Sequence, residues 1–274
     1  KEIEKALRLI INPTYIKDLN ISRIEKNKAI FKSLFTNFSA VKDYYSAKFR
    51  RALVNETPEG NKKAFINYIK INFNKFGLWP KNIFFYEHHL CHAMPSYCLS
   101  PFNGNKAIAL TIDGQGDGFF SKVYVFESSA KYELIGESSA DFIGGGDRFL
   151  SIGRIYNIFT QAMGLHPNSD EGKVEALAAF GSADEHLLSF LQSSTKINKH
   201  SLSIEFNKEG IEPFYDIDWL KLQRRQIGNE NFCATVQDYL EETIVNYLNA
   251  VYEKYPINNL CLSGGVAANI IMSL

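Results

Sequence analysis

A β-type run that ends in a glycine-rich turn constrains the fold of this chain more than any other feature. The run covers residues 107–112 and closes in Asp113-Gly114. Two more strand candidates follow at 121–127 and 132–137. This succession predicts an antiparallel meander whose strands are joined by glycine turns.

The rest of the chain alternates helical spacing with one further strand. Apolar residues predict helices at 62–76, 149–163, 171–180 and about 232–252, and a hairpin or edge strand near 202–206. A final strand at 260–263 breaks into a glycine turn and a helix start. Mixed strands and helices of this kind predict an α/β domain.

Composition excludes several classes of protein. Of the 274 residues, 45% are hydrophobic and 22% charged, which is typical of a globular chain. The formal net charge is zero, so no basic excess indicates a nucleic-acid surface. No apolar run approaches the roughly 20 residues that span a bilayer. The four cysteines form no CxxC pair, and we expect a cytoplasmic protein without a membrane or nucleic-acid partner.

Three of the six histidines lie within five residues, in the segment HHLCH. His88 and His92 are four positions apart, so in a helix both imidazoles leave the same face. Two such imidazoles suit an iron, zinc, nickel or copper ion, with further ligands from elsewhere in the chain. The alternative is a pair of surface or core histidines one turn apart. The segment lacks the HExxH pattern of zinc proteases because His89 follows His88.

Two glycine turns have both a functional and an ordinary interpretation. Asp113, with Gly114 after it, suits a metal or a metal-bound phosphate, or is a plain turn. Gly264 and Gly265 suit an anion or a ribose, or serve packing alone. Asn269 is expected one helical turn further in, where its amide could contact a nucleotide. No GK[ST] follows, so the second turn is not a P-loop.

The segment Asp170-Glu171-Gly172-Lys173 precedes the apolar face of the helix predicted at 171–180. Acidic residues at a helix start usually act through capping and the helix dipole. Lys173 suits a phosphate if it lies in a cleft, and is otherwise a solvated surface lysine.

Taken in order, the motifs of the chain resemble those of the carbamoyltransferase family, which includes nodulation-factor, cephalosporin and aminoglycoside O-carbamoyltransferases. The resemblance covers roughly residues 80–274 and extends more distantly to tRNA threonylcarbamoyl-transfer and hydrogenase-maturation proteins. The motifs are HHLCHA, TIDG, SIGRIYNIFTQAMG, EGKVEALAAFG, a QxxLE helix at 237–241, and LCLSGGVAAN.

The resemblance implies an actin-like, sugar-kinase-like α/β fold with two ribonuclease-H-type lobes. ATP and Fe²⁺, or another divalent metal such as Mg²⁺, would lie in the cleft. Members make carbamoyl adenylate from carbamoyl phosphate and ATP, and transfer the carbamoyl group to a hydroxyl of a small molecule or sugar.

The resemblance also implies roles for particular residues. His88, His92 and Asp113 are the expected metal ligands. The expected nucleotide contacts are Gly114, Lys173, Glu175, Gly264, Gly265 and Asn269. An alcohol nucleophile needs a proton acceptor, for which His89 is a candidate, or His89 orients its neighbours.

The chain also departs from the family pattern. We expect residues 1–105 to be the mostly helical remainder of a first, incomplete lobe that carries HHLCH, and 106–274 to be a second lobe cut after GGVAAN. The glycine-rich first strand, a downstream metal aspartate and a C-terminal adenylate-forming lobe are not found. We therefore expect little carbamoyl transfer by this polypeptide alone.

Two other functions fit the same motifs. One is threonylcarbamoyl transfer to tRNA. The neutral charge and the motif pattern favour a small-molecule or sugar acceptor over tRNA. The other is a non-catalytic module that binds nucleotide and assembles with a partner.

Overall fold

A computed structural model describes residues 73, 74, 77, 78, 86–141 and 149–273 of the chain. Two compact units are present, Lys1–Pro80 and Lys81–Leu274. In the first, Phe73 and Asn74 are helical, and their carbonyls accept from Leu78 N and Gly77 N at 3.1 and 3.0 Å. Gly77 has φ 73°, so a glycine cap ends this predicted helix before Trp79-Pro80. The earlier part of the helix lies outside the described residues.

The second unit contains a mixed sheet surrounded by helices. Its strands are β1 Ala107–Gly116, β2 Phe119–Ser128, β3 Lys131–Ser139, β4 Thr195–Asn198, β5 Ser203–Phe206 and β6 Leu260–Ser263. Its α-helices are α1 His88–Cys98, α2 Ile152–Ala162, α3 Glu171–Ala178, α4 Glu185–Ser193, α5 Lys208–Ile211, α6 Ile217–Ile227, α7 Asn229–Lys254 and α8 Ile270–Ser273. Short 3₁₀ turns cover Glu212–Tyr215 and Val266–Ala268.

The main sheet has the strand order β3-β2-β1-β6. The predicted meander is confirmed, because β1 pairs antiparallel with β2 and β2 antiparallel with β3. β6 returns to pair parallel with β1, with Thr111 opposite Ser263. The carboxyl ends of β1 and β6 therefore lie side by side, which places the two predicted glycine turns next to each other.

Both faces of β1 are buried, as expected for a central strand. On one face, Ala107 and Ala109 pack with Ala93 and Tyr97 of α1. The opposite face contributes to the main core, which combines β1 and β2 residues with apolar residues of α2 and α7, including Ile108, Leu110, Ile112, Val123, Ile155, Phe159, Tyr239 and Tyr247. Among the described helices, α1 covers the sheet face from which Thr111 and Asp113 project.

Several predicted boundaries move. The helix predicted at 149–163 begins at Ile152, because the Ser151 hydroxyl caps it by accepting from Arg154 N at 2.9 Å. The strand predicted at 107–112 continues to Gly116, past Asp113-Gly114. The domain boundary between 105 and 106 stays a prediction. Within the described part of the chain, no helix has both the length and the apolar character needed to cross a membrane.

Candidate metal centre

Helix α1 carries the histidine cluster and begins at a fixed point. Glu87 is its N-cap, and one carboxylate oxygen accepts from Leu90 N at 2.6 Å. The same oxygen accepts from the Tyr124 hydroxyl at 2.9 Å. Burial alone would raise the pKa of Glu87, but these two donors and Lys122 lower it overall. A charged carboxylate is therefore held at the positive end of the helix.

His88 and His92 both face the end of β1, as the four-residue spacing predicts. Each Nε2 atom lies 3.1 Å from the same oxygen of Asp113, Oδ2. All three ligand atoms lie within 4.8 Å of one another, and both imidazoles and the carboxylate are partly exposed. Among the described residues, this is the one group of three or more histidine, cysteine or carboxylate side chains with such spacing.

The second oxygen of Asp113 is held by the glycine turns. Oδ1 accepts from Gly114 N at 2.7 Å, and a Cβ built on Gly265 would lie 3.0 Å from it. Burial raises the pKa of Asp113, but the Gly114 hydrogen bond and the two histidines outweigh it and leave the pKa below its ordinary value. Asp113 is therefore a carboxylate, the form that a metal needs.

Two glycines allow the close approach of these elements. Gly264 has φ 97°, and a Cβ there would overlap the carbonyl of Ile112, so the β6 turn lies directly against β1. A Cβ on Gly116 would overlap the imidazole of His88. At Gly116 and Gly264, other elements therefore occupy the space that a side chain would take.

His89 points away from the other two histidines and is fully buried. Its Nδ1 lies 2.9 Å from the Thr111 hydroxyl, and its Nε2 lies 3.2 Å from the Phe119 carbonyl. Burial lowers the pKa of His89, so the ring is neutral at pH 7. These contacts tie α1 to β1 and β2, which fits the supporting role predicted for His89.

Asn269 is held by the protein itself. Its amide pairs reciprocally with that of Gln237, at 3.0 and 2.9 Å, and its Oδ1 accepts from Met272 N at 2.9 Å. The Tyr156 hydroxyl donates to Gln237 Oε1 at 2.9 Å. Asn269 therefore caps α8, and the prediction that it lies one turn inside a helix is wrong. An asparagine side chain that accepts a backbone N–H favours a cap over a helix interior.

Glu175 and Lys173 also have partners within the chain. Glu175 Oε1 accepts from Ile270 N and Ile271 N at 2.7 and 2.9 Å, so it holds the start of α8. Lys173 has a 64% exposed side chain and pairs with Asp170 at 2.8 Å. The structure thus brings Gly114, Gly264 and Gly265 to Asp113, while Glu175 and Asn269 meet at α8.

Sequence reasoning missed the supporting residues Glu87, Gln237 and Asp117. The Asp117 carboxylate accepts from His88 N at 2.7 Å. The pattern Asp117-Gly118 between two strands indicates a hairpin turn, but it does not indicate a partner on α1. Glutamate is not among the preferred N-cap residues, so Glu87 gives no clear signal either.

The donor set fits a divalent transition metal. Two imidazole nitrogens and one carboxylate oxygen are the donor types of non-haem Fe²⁺ centres, which leave positions for other ligands. Zinc takes the same donor types. A calcium ion would require more oxygen ligands than these three residues offer.

Comparisons with known proteins agree with the motifs. A family model described as "Carbamoyltransferase N-terminus" matches residues 6–274. An uncharacterized protein of Methanocaldococcus jannaschii is 42% identical over 202 residues, which is 72% of this chain and 33% of the relative. The nodulation protein NolNO of Sinorhizobium fredii is 26% identical over 71% of this chain and 27% of the relative.

A third relative is the tRNA N6-adenosine threonylcarbamoyltransferase of Streptococcus pneumoniae. It is 26% identical over 67% of this chain and 48% of its own length. The matched part of the chain thus spans between about a quarter and a half of these relatives.

Proposed function

The chain belongs to the carbamoyltransferase family, and on that premise we propose that it provides the metal- and nucleotide-binding part of an ATP-dependent O-carbamoyltransferase. Family membership supports carbamoyl transfer from a donor to an acceptor. The observation that carries the finer proposal is the shared 3.1 Å approach of His88 and His92 to one oxygen of Asp113. An actin-like arrangement of the whole protein belongs to the same proposal, and the distant threonylcarbamoyltransferase relative supports it.

In the proposed reaction, an acceptor hydroxyl attacks carbamoyl adenylate made from carbamoyl phosphate and ATP. A bond forms between the hydroxyl oxygen and the carbamoyl carbon, the bond from that carbon to the phosphate oxygen breaks, and AMP leaves. The hydroxyl proton passes to an imidazole or carboxylate in the cleft. A Fe²⁺ or other divalent ion would place positive charge beside the phosphate and the developing oxyanion.

Different residues of the chain have different roles in the proposed reaction. His88, His92 and Asp113 would hold the ion. Gly114, where an added Cβ would meet no atom within 4 Å, leaves room for a phosphate or ribose at the carboxyl end of β1, and Gly264 and Gly265 bring the β6 turn beside it. His89 acts as a positioning residue, since both of its nitrogens have partners in the sheet. Asn269 and Glu175 fix the segment after the glycine turn through their contacts with α8. The exposed Lys173 side chain, which pairs with Asp170, would supply a positive charge to a phosphate.

Metal titration under anaerobic conditions tests the site. We expect about one Fe²⁺ per chain, and His88→Ala or His92→Ala to weaken binding more than the roughly 10–100-fold typical of outer-shell changes, because each removes a ligand. His186→Ala is the matched control, since His186 is exposed on α4. Binding that survives both ligand changes, or is lost in the control as well, would contradict the proposed site.

Activity separates the candidate reactions. The test uses a longer polypeptide that contains residues 1–274 together with the parts that its relatives have beyond the matched region. This polypeptide should release AMP from ATP and carbamoyl phosphate when a hydroxyl acceptor is present. His92→Ala should abolish the release. Threonylcarbamoyl transfer to tRNA in place of this reaction would favour a function like that of the threonylcarbamoyltransferase relative. Neither reaction, with metal binding intact, would favour a non-catalytic binding module.

A further inference from the structure

The turn between β1 and β2 has an unusual neighbour. Asp117 has φ 52° and Gly118 has φ 88°, so both central residues of this hairpin turn are left-handed. Such turns match the twist of the strands, and aspartate followed by glycine is a favoured pair there. The turn therefore needs no further function for Asp117. Its side chain nevertheless reaches out of the hairpin toward α1.

The Asp117 carboxylate accepts the backbone N–H of His88 at 2.7 Å. This N–H is the first of α1 and has no acceptor within the helix. The same hairpin carries Asp113, whose Oδ2 meets the His88 ring. One short loop therefore contacts His88 twice, at the main chain through Asp117 and at the imidazole through Asp113.

We propose that Asp117 is a positioning residue of the metal centre, which fixes the main chain of His88 so that its imidazole shares one ion with His92 and Asp113. This inference rests on the proposed metal site. The tight fit supports it, because the His88 ring occupies the space where a side chain on Gly116 would lie. A small movement of His88 along the hairpin would therefore shift its imidazole relative to Asp113 and change the geometry of the metal ligands.

Other contacts hold α1 without fixing His88. Glu87 binds Leu90 N, and His89 binds Thr111 and Phe119. These contacts predict that the helix stays docked when Asp117 is changed. The Asp117 hydrogen bond is exposed, so water can replace it at little cost in folding free energy. The structure thus separates metal affinity from stability at this position.

Two substitutions use this separation. Asp117→Gly keeps the left-handed turn and removes the acceptor, whereas Asp117→Asn keeps both the turn and an acceptor oxygen. Asn168→Gly is a matched control, since Asn168 is also left-handed, with φ 64°, but lies in the turn before α3. Each variant is titrated with Fe²⁺ and with Zn²⁺, and its thermal unfolding is followed without metal.

We expect Asp117→Gly to weaken metal binding about 10-fold or more, the lower end of the range for residues that orient ligands. Asp117→Asn should stay within about threefold of the unchanged protein, because the acceptor remains. Melting temperatures without metal should change equally little in Asp117→Gly and Asn168→Gly. Unchanged affinity in Asp117→Gly would overturn the inference, and so would an equal loss in Asn168→Gly. If the unchanged protein binds no metal, the proposed metal site is wrong, and this inference is wrong with it.

Discussion

The three histidines of α1 differ in what their ring nitrogens contact. Phe119 O accepts from His89 Nε2–H at 3.2 Å, and Nδ1 lies 2.9 Å from the Thr111 hydroxyl, which itself donates to Lys122 O. We assign this tautomer because a carbonyl can only accept. His88 and His92 instead direct Nε2 at the carboxylate oxygen of Asp113. The buried His89 thus ties α1 to the sheet, whereas His88 and His92 contact the proposed metal ligand Asp113.

The cysteines should differ sharply in reactivity. Cys91 is exposed on α1, whereas Cys233 is buried in α7 and burial raises its pKa to about 12. At pH 8.5, Cys233 should hold about a thousandfold less thiolate than an ordinary cysteine. Iodoacetamide followed by mass spectrometry should therefore label Cys91 first and leave Cys233 unlabelled until urea unfolds the chain. Equal labelling in the native protein would show that Cys233 is accessible.

Residue identity predicts part of the candidate site. The four-residue spacing of His88 and His92 is visible in the sequence, and the structure confirms that both rings face Asp113. The predicted strand-end position of Asp113 is wrong, because β1 continues through an irregular register to Gly116. Whether Asp113 projects toward α1 or toward the main core depends on the register of β1, because successive residues face opposite sides. The contacts of Asn269 and Glu175 with α8 depend on distant partners, so the sequence alone does not indicate them.

β4 and β5 pair antiparallel as a hairpin. A buried hydrogen bond joins this hairpin to helix α7. The Tyr247 hydroxyl donates to Leu202 O at 2.7 Å, and both residues are fully buried. Tyr247→Phe should lower the free energy of unfolding by about 1–3 kcal/mol, because the Leu202 carbonyl is left without a donor in the core. Urea denaturation followed by circular dichroism measures this loss.

The same helix offers a matched control for that substitution. The Tyr252 hydroxyl donates to Asn258 Oδ1 at 3.2 Å, but the residue is 50% exposed. Tyr252→Phe should therefore change the free energy of unfolding by less than about 0.5 kcal/mol, because water replaces the lost partner. Equal effects of the two substitutions would mean that the buried bond contributes no more than the exposed one.

Helices and strands follow the sequence closely where periodicity is strong, and less closely at their ends. The helix predicted at 232–252 is observed as Asn229–Lys254, because its apolar spacing continues over many turns. The helix predicted at 171–180 ends at Ala178. Helix α8 begins only after Asn269, because a 3₁₀ turn intervenes between the glycine pair and its cap. The Asn269 side chain caps α8, whereas α3 and α7 begin without a side-chain cap, and apolar spacing reports none of these ends.

The pairing of β6 with β1 brings the parts of the site together. These strands are about 150 residues apart in the sequence, and their parallel pairing places Gly265 beside Asp113. No local pattern specifies that pairing, which depends on the helices between the strands packing as one core. The family resemblance predicts the convergence of these motifs, whereas spacing alone predicts only the separate motifs.

All three proposed ligands and their supporting residues lie within the compact unit Lys81–Leu274. A polypeptide limited to residues 81–274 should therefore unfold in one cooperative urea transition and bind Fe²⁺ within about threefold of the affinity of the 274-residue chain, since ligand geometry controls affinity. His92→Ala in the shorter polypeptide is the control for specific binding. Affinity lost on shortening, while the transition stays cooperative, would show that residues 1–80 contribute directly to the metal centre. A broad, non-cooperative transition would show instead that the second unit requires the first in order to fold.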